Sequence, residues 1–179
     1  MTRPLLLRPL RRTASDAEAF ARAVHDTQTD KAGDPYVTHL VRVVDRASAK
    51  LAGLPGILSS ETVCELLQVA WLHDVIEDTP YDGDHLLAEG FSKRVVQDVT
   101  ALSNLAETPY PAFIAGIVAH ASLSAILVKL SDNEDNADPD RLAKLDAATR
   151  ARLLAKYEPS MASLRAAARA KGWQDRGRA

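Results

Sequence analysis

Apolar residues recur at intervals of three and four along this 179-residue chain, and no run of strict alternation interrupts them. The pattern predicts an all-α protein. A first helix is expected over 15–28, with Ser15 as N-cap and Asp16 and Glu18 in the first turn, where the helix dipole favours negative charge. The segment TDKAGDP breaks it. Pro35 suits the start of a second helix over 36–52, in which Val37, Leu40, Val41 and Val44 form one apolar stripe before Gly53, Pro55 and Gly56 end it. The third helix is the most apolar. It is expected to run unbroken over 60–77, through Leu66, Leu67, Ala70, Trp71 and Val75, until Pro80 stops it. Shorter helices are expected at 83–89, 92–103 and 109–120, and LSAILVKLSD at 123–132 reads as another, although Ile126-Leu127-Val128 alone fits a short strand. A long Ala- and Arg-rich amphipathic helix over 147–171 completes the set.

Composition changes this picture little. Hydrophobic residues at 46% and charged residues at 26% suit one globular core. A single compact domain over 15–171 is expected, between a flexible basic segment at 1–14 and a flexible polar tail at 172–179. The lone Cys64 excludes an intrachain disulfide and fits a reducing compartment. Leu5-Leu6-Leu7, between Arg3 and Arg8, is too short for a signal-peptide core, so a cytoplasmic location is expected. No apolar run reaches the roughly 18–20 residues that span a bilayer, which predicts no membrane partner. The formal charge of −2 gives no general attraction to nucleic acid, and homo-oligomerisation is left open. An anionic ligand must therefore be held by local charge or by metal.

Candidate chemistry concentrates in VAWLHDVIEDTPYDGD at 69–84. On a helix His73 and Glu77 are four apart, as are Asp74 and Asp78, so each pair shares a face with Cβ atoms about 5–6 Å apart. These groups fall beside an apolar run and at the negative end of a helix dipole, where a cation would relieve them. An HD dipeptide by itself is more simply a solvated helix end. Two other stretches add weight: DPYVTHL places His39 at the start of an apolar helix, and ILVKLSDNEDN places Asp132 directly after a buried run. His39, His73, Asp74 and Asp132 make a mixed N/O set suited to Mn²⁺, Fe²⁺ or Zn²⁺.

The order H…HD…D resembles the HD-domain phosphohydrolases, and HDVIEDT is similar to the HDxxEDT motif of the RelA/SpoT-type (p)ppGpp hydrolases. HDTQTDKAGDPYVTH at 25–39 and ILVKLSDNEDN at 126–136 extend the resemblance to roughly residues 16–160. It implies an HD-domain helical fold and a small stand-alone hydrolase, without room for the synthetase and regulatory domains of the long members. It also implies His39, His73, Asp74 and Asp132 as ligands of one metal, usually Mn²⁺, with Glu77 and Asp78 as the catalytic acid pair. The implied reaction removes the 3′-pyrophosphate of (p)ppGpp to leave GDP or GTP. Tyr36 and Asn136 fall on substrate-side positions of the pattern, and Lys31 offers a nearby cation.

Departures from the family pattern bear on the nucleotide. Asp30 stands where the family has a base-stacking arginine, and Asn133, Glu134 and Asp135 replace its Arg-Leu-His before Asn136. Pro139 and Ala101 stand where a threonine and a lysine are common. The sequence reading thus places two extra acids beside an anionic substrate. Another nucleotide phosphate, such as the NADPH 2′-phosphate, and a catalytically weak nucleotide sensor are the alternative functions. Elsewhere the plain reading suffices: His25 packs at a helix end, His85 sits in an exposed loop, and His120 ends a helix. Arg141 and Lys144 lie in a mixed-charge face from which either could reach a phosphate.

Overall fold

The structure, a computed structural model, describes residues 11–176, in which ten α-helices and one 3₁₀ turn occur. They are α1 (Ala14–Val24), α2 (Tyr36–Lys50), α3 (Ser60–Leu72), α4 (Val75–Asp78), α5 (Gly83–Ala88), α6 (Lys93–Leu102), α7 (Tyr110–His120), α8 (Leu123–Asn136), α9 (Pro139–Leu142) and α10 (Ala147–Ala170). The 3₁₀ turn, Leu51–Gly53, follows α2 directly. Of the loose ends expected at 1–14 and 172–179, residues 1–10 and 177–179 lie outside the described residues, whereas Arg12 pairs with Glu89 and its carbonyl accepts from Gln68.

The centre of the molecule is α8. It packs against α2, α3, α6 and α10, and every residue from Ala125 to Asn133 is buried. Such all-round burial explains why its apolar pattern shows no single stripe. Leu40, Leu66, Leu72, Leu102, Ile126, Leu127, Leu130 and Leu164 are the large fully buried side chains around it. The short strand allowed at 126–128 does not form; those residues are helical. The helix also continues four residues past Asp132, because the acids that follow have cationic partners: Glu134 meets Lys50 and Arg165, and Asp135 meets Arg42 and Arg141.

Other differences have local causes. The N-cap of α1 is Thr13 rather than Ser15, in a reciprocal capping box with Asp16. The helix ends at Val24, and residues 25–35 form a loop closed by a bridge between Thr29 and Pro35. The third helix is not continuous. It stops at Leu72, and His73 and Asp74 occupy the junction before α4, with Asp74 at φ −104° and ψ −1°. The unforeseen α9 starts at an Asp138 cap with Pro139 at the first helical position. Its Leu142 packs on Leu153 and Tyr157 of α10 as a small second cluster. Where a loose tail was expected from 172, Trp173 is buried, its indole N–H donates to the Lys50 carbonyl at 3.0 Å, and the Gln174 N–H donates to the Gly53 carbonyl at 2.8 Å. No helix among the described residues is long and apolar enough to cross a membrane.

Candidate metal centre and active-site cleft

The α3–α4 break turns His73 and Asp74 toward the N-terminal end of α2 and the C-terminal half of α8, which bring in His39 and Asp132. His39 Nε2 lies 3.6 Å from Asp74 Oδ2 and 3.4 Å from Asp132 Oδ1; His73 Nε2 lies 3.0 Å and 3.9 Å from the same two oxygens. Ligand atoms about 2.1 Å from one ion sit roughly 3.0–3.5 Å apart, so His39, His73 and Asp74 already form a compact trio, and Asp132 stands beside both imidazoles. All four residues are buried.

Each imidazole is aimed by its other nitrogen. The Nδ1–H of His73 donates to the Ala70 carbonyl at 2.9 Å, and the Nδ1–H of His39 donates to Asp135 Oδ2 at 2.7 Å. Both Nε2 lone pairs therefore face the cluster. The buried Nε2 of His73 has no hydrogen-bond partner in the protein, an orphaned acceptor that a cation would satisfy. Asp132 is held on both oxygens, by Asn136 Nδ2 at 2.5 Å on Oδ1 and by Lys129 Nζ at 2.9 Å on Oδ2. The residues fit a divalent metal: two neutral-tautomer nitrogens and two carboxylates, each oriented from behind.

Electrostatics agrees with the geometry. Burial alone would lower the pKa of His39 and His73, but Asp132, Asp135 and Asp74 raise the first well above its ordinary value, and Asp74 raises the second. Burial would likewise raise Asp74 and Asp132; His73 and His39 hold the former well below the carboxylate range, and Lys129 with His39 lowers the latter. The field at the cluster thus favours positive charge. Lys129, fully enclosed beneath the Phe113 ring, keeps its proton because Asp132 and Asp74 outweigh its burial.

The cluster forms the floor of a cleft of about 430 Å³. Glu77 and Asp78 stand on its exposed rim, on α4. The backbone N–H of Asn104 donates to Glu77 Oε2 at 3.0 Å, fixing that carboxylate from the loop after α6. Tyr36 Oη lies 2.5 Å from Asp74 Oδ2 and 3.0 Å from Asp78 Oδ2, and burial with Asp74 and Asp78 raises its pKa, so it remains a hydrogen-bond donor between them. Burial also raises Asp78, as does Asp74. Lys31 is exposed at the mouth, and Asn136 lines the wall.

Three departures resolve differently from the sequence reading. Asp30 does not present a free carboxylate: its Oδ1 accepts from the Ala32 and Asp34 N–H groups, and its Oδ2 takes an ion pair from Arg141 at 2.7 Å. Glu134 points away from the cleft, toward Lys50 and Arg165. Asp135 is completely buried behind His39; burial would raise its pKa, but the hydrogen bond from His39, with Arg42 and Arg141, holds it down to about 2. The expected pair of extra acids beside the substrate is therefore absent from the cleft lining. Asn133 is also internal, joining Tyr110 Oη at 2.7 Å to Ser160 Oγ at 2.7 Å. Arg141 does reach the cleft, whereas Lys144 is occupied by Asp34 on the outer side of the 25–35 loop.

Sequence reasoning missed Asp135 as the partner of His39, although its place three residues after Asp132 on one helix was a signal. It also missed Lys129, Tyr110, Lys156, Tyr157 and the Asn104 amide, all at the cleft. The first follows the same three-residue spacing; the others depend on how α7 and α10 pack. His25 is buried with Nδ1 bonded to Gln28 at 2.7 Å and its ring stacked on Tyr36, as the plain reading expected; His85 is exposed as expected, but on α5 against its Asp82 cap rather than in a loop.

No family model matches the sequence. Among curated proteins, the chain is 32% identical over 126 residues to a guanosine-3′,5′-bis(diphosphate) 3′-pyrophosphohydrolase of Haemophilus influenzae, covering 65% of this chain and 17% of that protein. It is 35% identical over 129 residues to the bifunctional (p)ppGpp synthase/hydrolase SpoT of Escherichia coli, covering 67% and 17%. The chain thus spans about a sixth of the length of these relatives, given the 17% share. A solved structure described as a metazoan ortholog of SpoT that hydrolyzes ppGpp and plays a role in starvation responses has the same fold, with a TM-score of 0.62 at 21% identity over 89% of this chain and 95% of the other.

Proposed function

We propose, from the premise that this chain is a relative of the RelA/SpoT-type (p)ppGpp hydrolases, that it is a metal-dependent phosphohydrolase removing the 3′-pyrophosphate of (p)ppGpp. The carrying observation is the convergence of His39 Nε2, His73 Nε2, Asp74 and Asp132 beneath a cleft rimmed by Glu77 and Asp78.

His39, His73, Asp74 and Asp132 would hold one divalent ion, Mn²⁺ in the reading favoured by family resemblance, with Fe²⁺ or Zn²⁺ compatible with the same donors. Bound there, such an ion supplies a more acidic water and polarises a phosphoryl oxygen. Glu77, fixed by the Asn104 amide, takes a proton from the attacking water. The new bond joins water oxygen to phosphorus, the bond from phosphorus to the 3′-oxygen breaks, and the acid pair returns a proton to that oxygen. Asp78 stays in place through Tyr36. Lys31, Lys156 and Arg141 surround the space for the substrate's phosphates, and Asn136 fixes the Asp132 carboxylate at the substrate side. The products are pyrophosphate and GDP or GTP, and the setting is cytoplasmic.

A second reading, hydrolysis of another nucleotide phosphate such as that of NADPH, is favoured by one observation. The side chain at position 30 is tied to Arg141 and offers no planar cation to a guanine base. Release of pyrophosphate or phosphate from ppGpp, pppGpp and NADPH with Mn²⁺ tests both. Pyrophosphate from the guanosine nucleotides supports the main reading; phosphate from NADPH alone supports the second; no release from any of them overturns the hydrolase assignment.

A further inference from the structure

Farther along α2 from the cleft, toward its C-terminal end, lies a second cavity, of about 500 Å³. One wall is a helical column of Arg42, Arg46 and Lys50, at successive intervals of four; α10 supplies Arg165, and the segment after it supplies Trp173 and Arg176. Five cationic side chains line it against three carboxylates, Asp45, Glu134 and Asp175, in a chain whose overall formal charge is −2.

The ion pairs at its walls leave positive charge in surplus. Glu134 is one carboxylate between two cations, Lys50 at 2.5 Å and Arg165 at 2.6 Å. Asp175 has its pair with Arg169, outside the cavity lining. Arg176 has the Gln174 side-chain carbonyl as its partner among the described residues, at 3.2 Å. Arg42 and Arg46 lean on Asp135 and Asp138 behind the wall, but Asp135 already serves His39 and Arg141. Burial lowers the pKa of Lys50, and Arg46 and Arg165 add to that effect despite the adjacent Glu134. With Asp135 and Asp138 counted behind the wall, the five cations meet five carboxylates, so the surplus lies at the cavity surface itself, where five cations face three carboxylates.

We propose that this cavity is a second anion site, separate from the cleft, that takes a small phosphate-bearing molecule. Guanidinium groups on facing walls match the oxygens of a phosphate group in paired hydrogen bonds, and the cavity is large enough for more than the phosphate itself. The site is not insulated from the metal cluster. Arg42 belongs at once to its wall and to Asp135, which in turn holds His39 Nδ1.

Trp173 lines the cavity while Trp71 lies two residues from His73, so the two tryptophans report on the two sites. The chain labelled with 5-fluorotryptophan is titrated with inorganic phosphate and followed by ¹⁹F NMR, with Trp71→Phe assigning the signals. The expected result is a saturable shift of the Trp173 signal with Kd at or below about 1 mM. In Arg165→Gln/Arg176→Gln, which leaves Lys50 on Glu134, binding should weaken at least about tenfold with circular dichroism unchanged. Arg46→Gln provides an independent loss of a wall cation should the double variant fold poorly. No saturable change at Trp173, a change confined to Trp71, or undiminished affinity in a folded variant would overturn the proposal. None of these readouts requires turnover, so they stand apart from the fate of the hydrolase assignment.

Discussion

At the scale of single residues, the site is a set of candidate ligand atoms whose imidazoles are aimed from behind. The four metal-type residues stood out in the sequence because His39 and Asp132 joined the HD dipeptide at the ends of separate apolar runs and in the order the family resemblance implies, although the dipeptide alone reads more simply as a solvated helix end. Asp135 was visible only as one more acid. Its depth behind His39 depends on which face of α8 meets α2, and the sequence reading put that carboxylate in the substrate's space instead. Its true position gives it a different job: it fixes the tautomer and direction of His39, a candidate metal ligand. Asp135→Asn should therefore lower metal affinity by roughly 10–100-fold, the usual cost of losing such a partner, with the helical circular dichroism preserved. Metal titration by calorimetry checks it; unchanged affinity would show that Arg42 and the protein backbone suffice to hold the ring. Glu77→Gln is the complementary case. Because Glu77 sits on the rim and is absent from the cluster of ligand atoms, metal content should stay near that of the parent while turnover falls by roughly 10²–10⁴-fold. Metal analysis alongside steady-state rates separates the two roles.

At the scale of elements, most helices were legible because burial follows the 3.6-residue period, and the misses lie where the period carries no information. Val75 and Ile76 continue the apolar pattern of α3 across the break, so nothing in hydrophobicity marks Leu72 as its end. The 25–35 loop shows the same limit: Asp30 was read as a missing arginine, yet it anchors the loop by two backbone N–H groups and Arg141. Arg141→Ala should free that loop and raise KM for the nucleotide more than it lowers kcat, measured by initial rates over a substrate series. Charge in the loop's neighbourhood is less telling than charge at the junction of α6 and α8, where Asp98 accepts from Ser122 Oγ at 2.8 Å. Burial raises the Asp98 pKa, with Glu65 adding to it, while Ser122 and Arg94 oppose. A carboxyl with a raised folded-state pKa binds protons more tightly in the folded chain, so its contribution to stability falls as pH rises from the unfolded value through the folded one. Asp98→Asn should then be stabilising at pH 7, with the advantage shrinking as pH falls through the raised folded value and gone below about 4, the ordinary carboxylate range. Urea denaturation of both chains at the two pH values tests the sign.

At the scale of the whole molecule, the segment after α10 closes the core. From sequence, GWQDRGRA looked too polar to pack, because its one large apolar residue has no periodic neighbours. The structure gives Trp173 a place through a backbone feature no periodicity reveals: Gly53 lies so close that an added Cβ would fall 2.0 Å from the Gln174 carbonyl oxygen and 2.6 Å from Trp173 Nε1. The glycine is required for that approach. Trp173→Ala removes a buried indole and should cost about 3–5 kcal/mol, lowering Tm by roughly 2–4 °C for each kcal/mol in a chain of this size. Gly53→Ala leaves the indole intact but denies it the site, and should cost a similar amount if the tail detaches as a unit. The double variant decides between a docked tail and two unrelated defects. Once either substitution has released the segment, the second has little left to remove, so the combined loss should fall well short of the sum of the two. Additive losses in chemical denaturation would mean instead that Gly53→Ala acts by straining the turn after α2 while Trp173 remains in place.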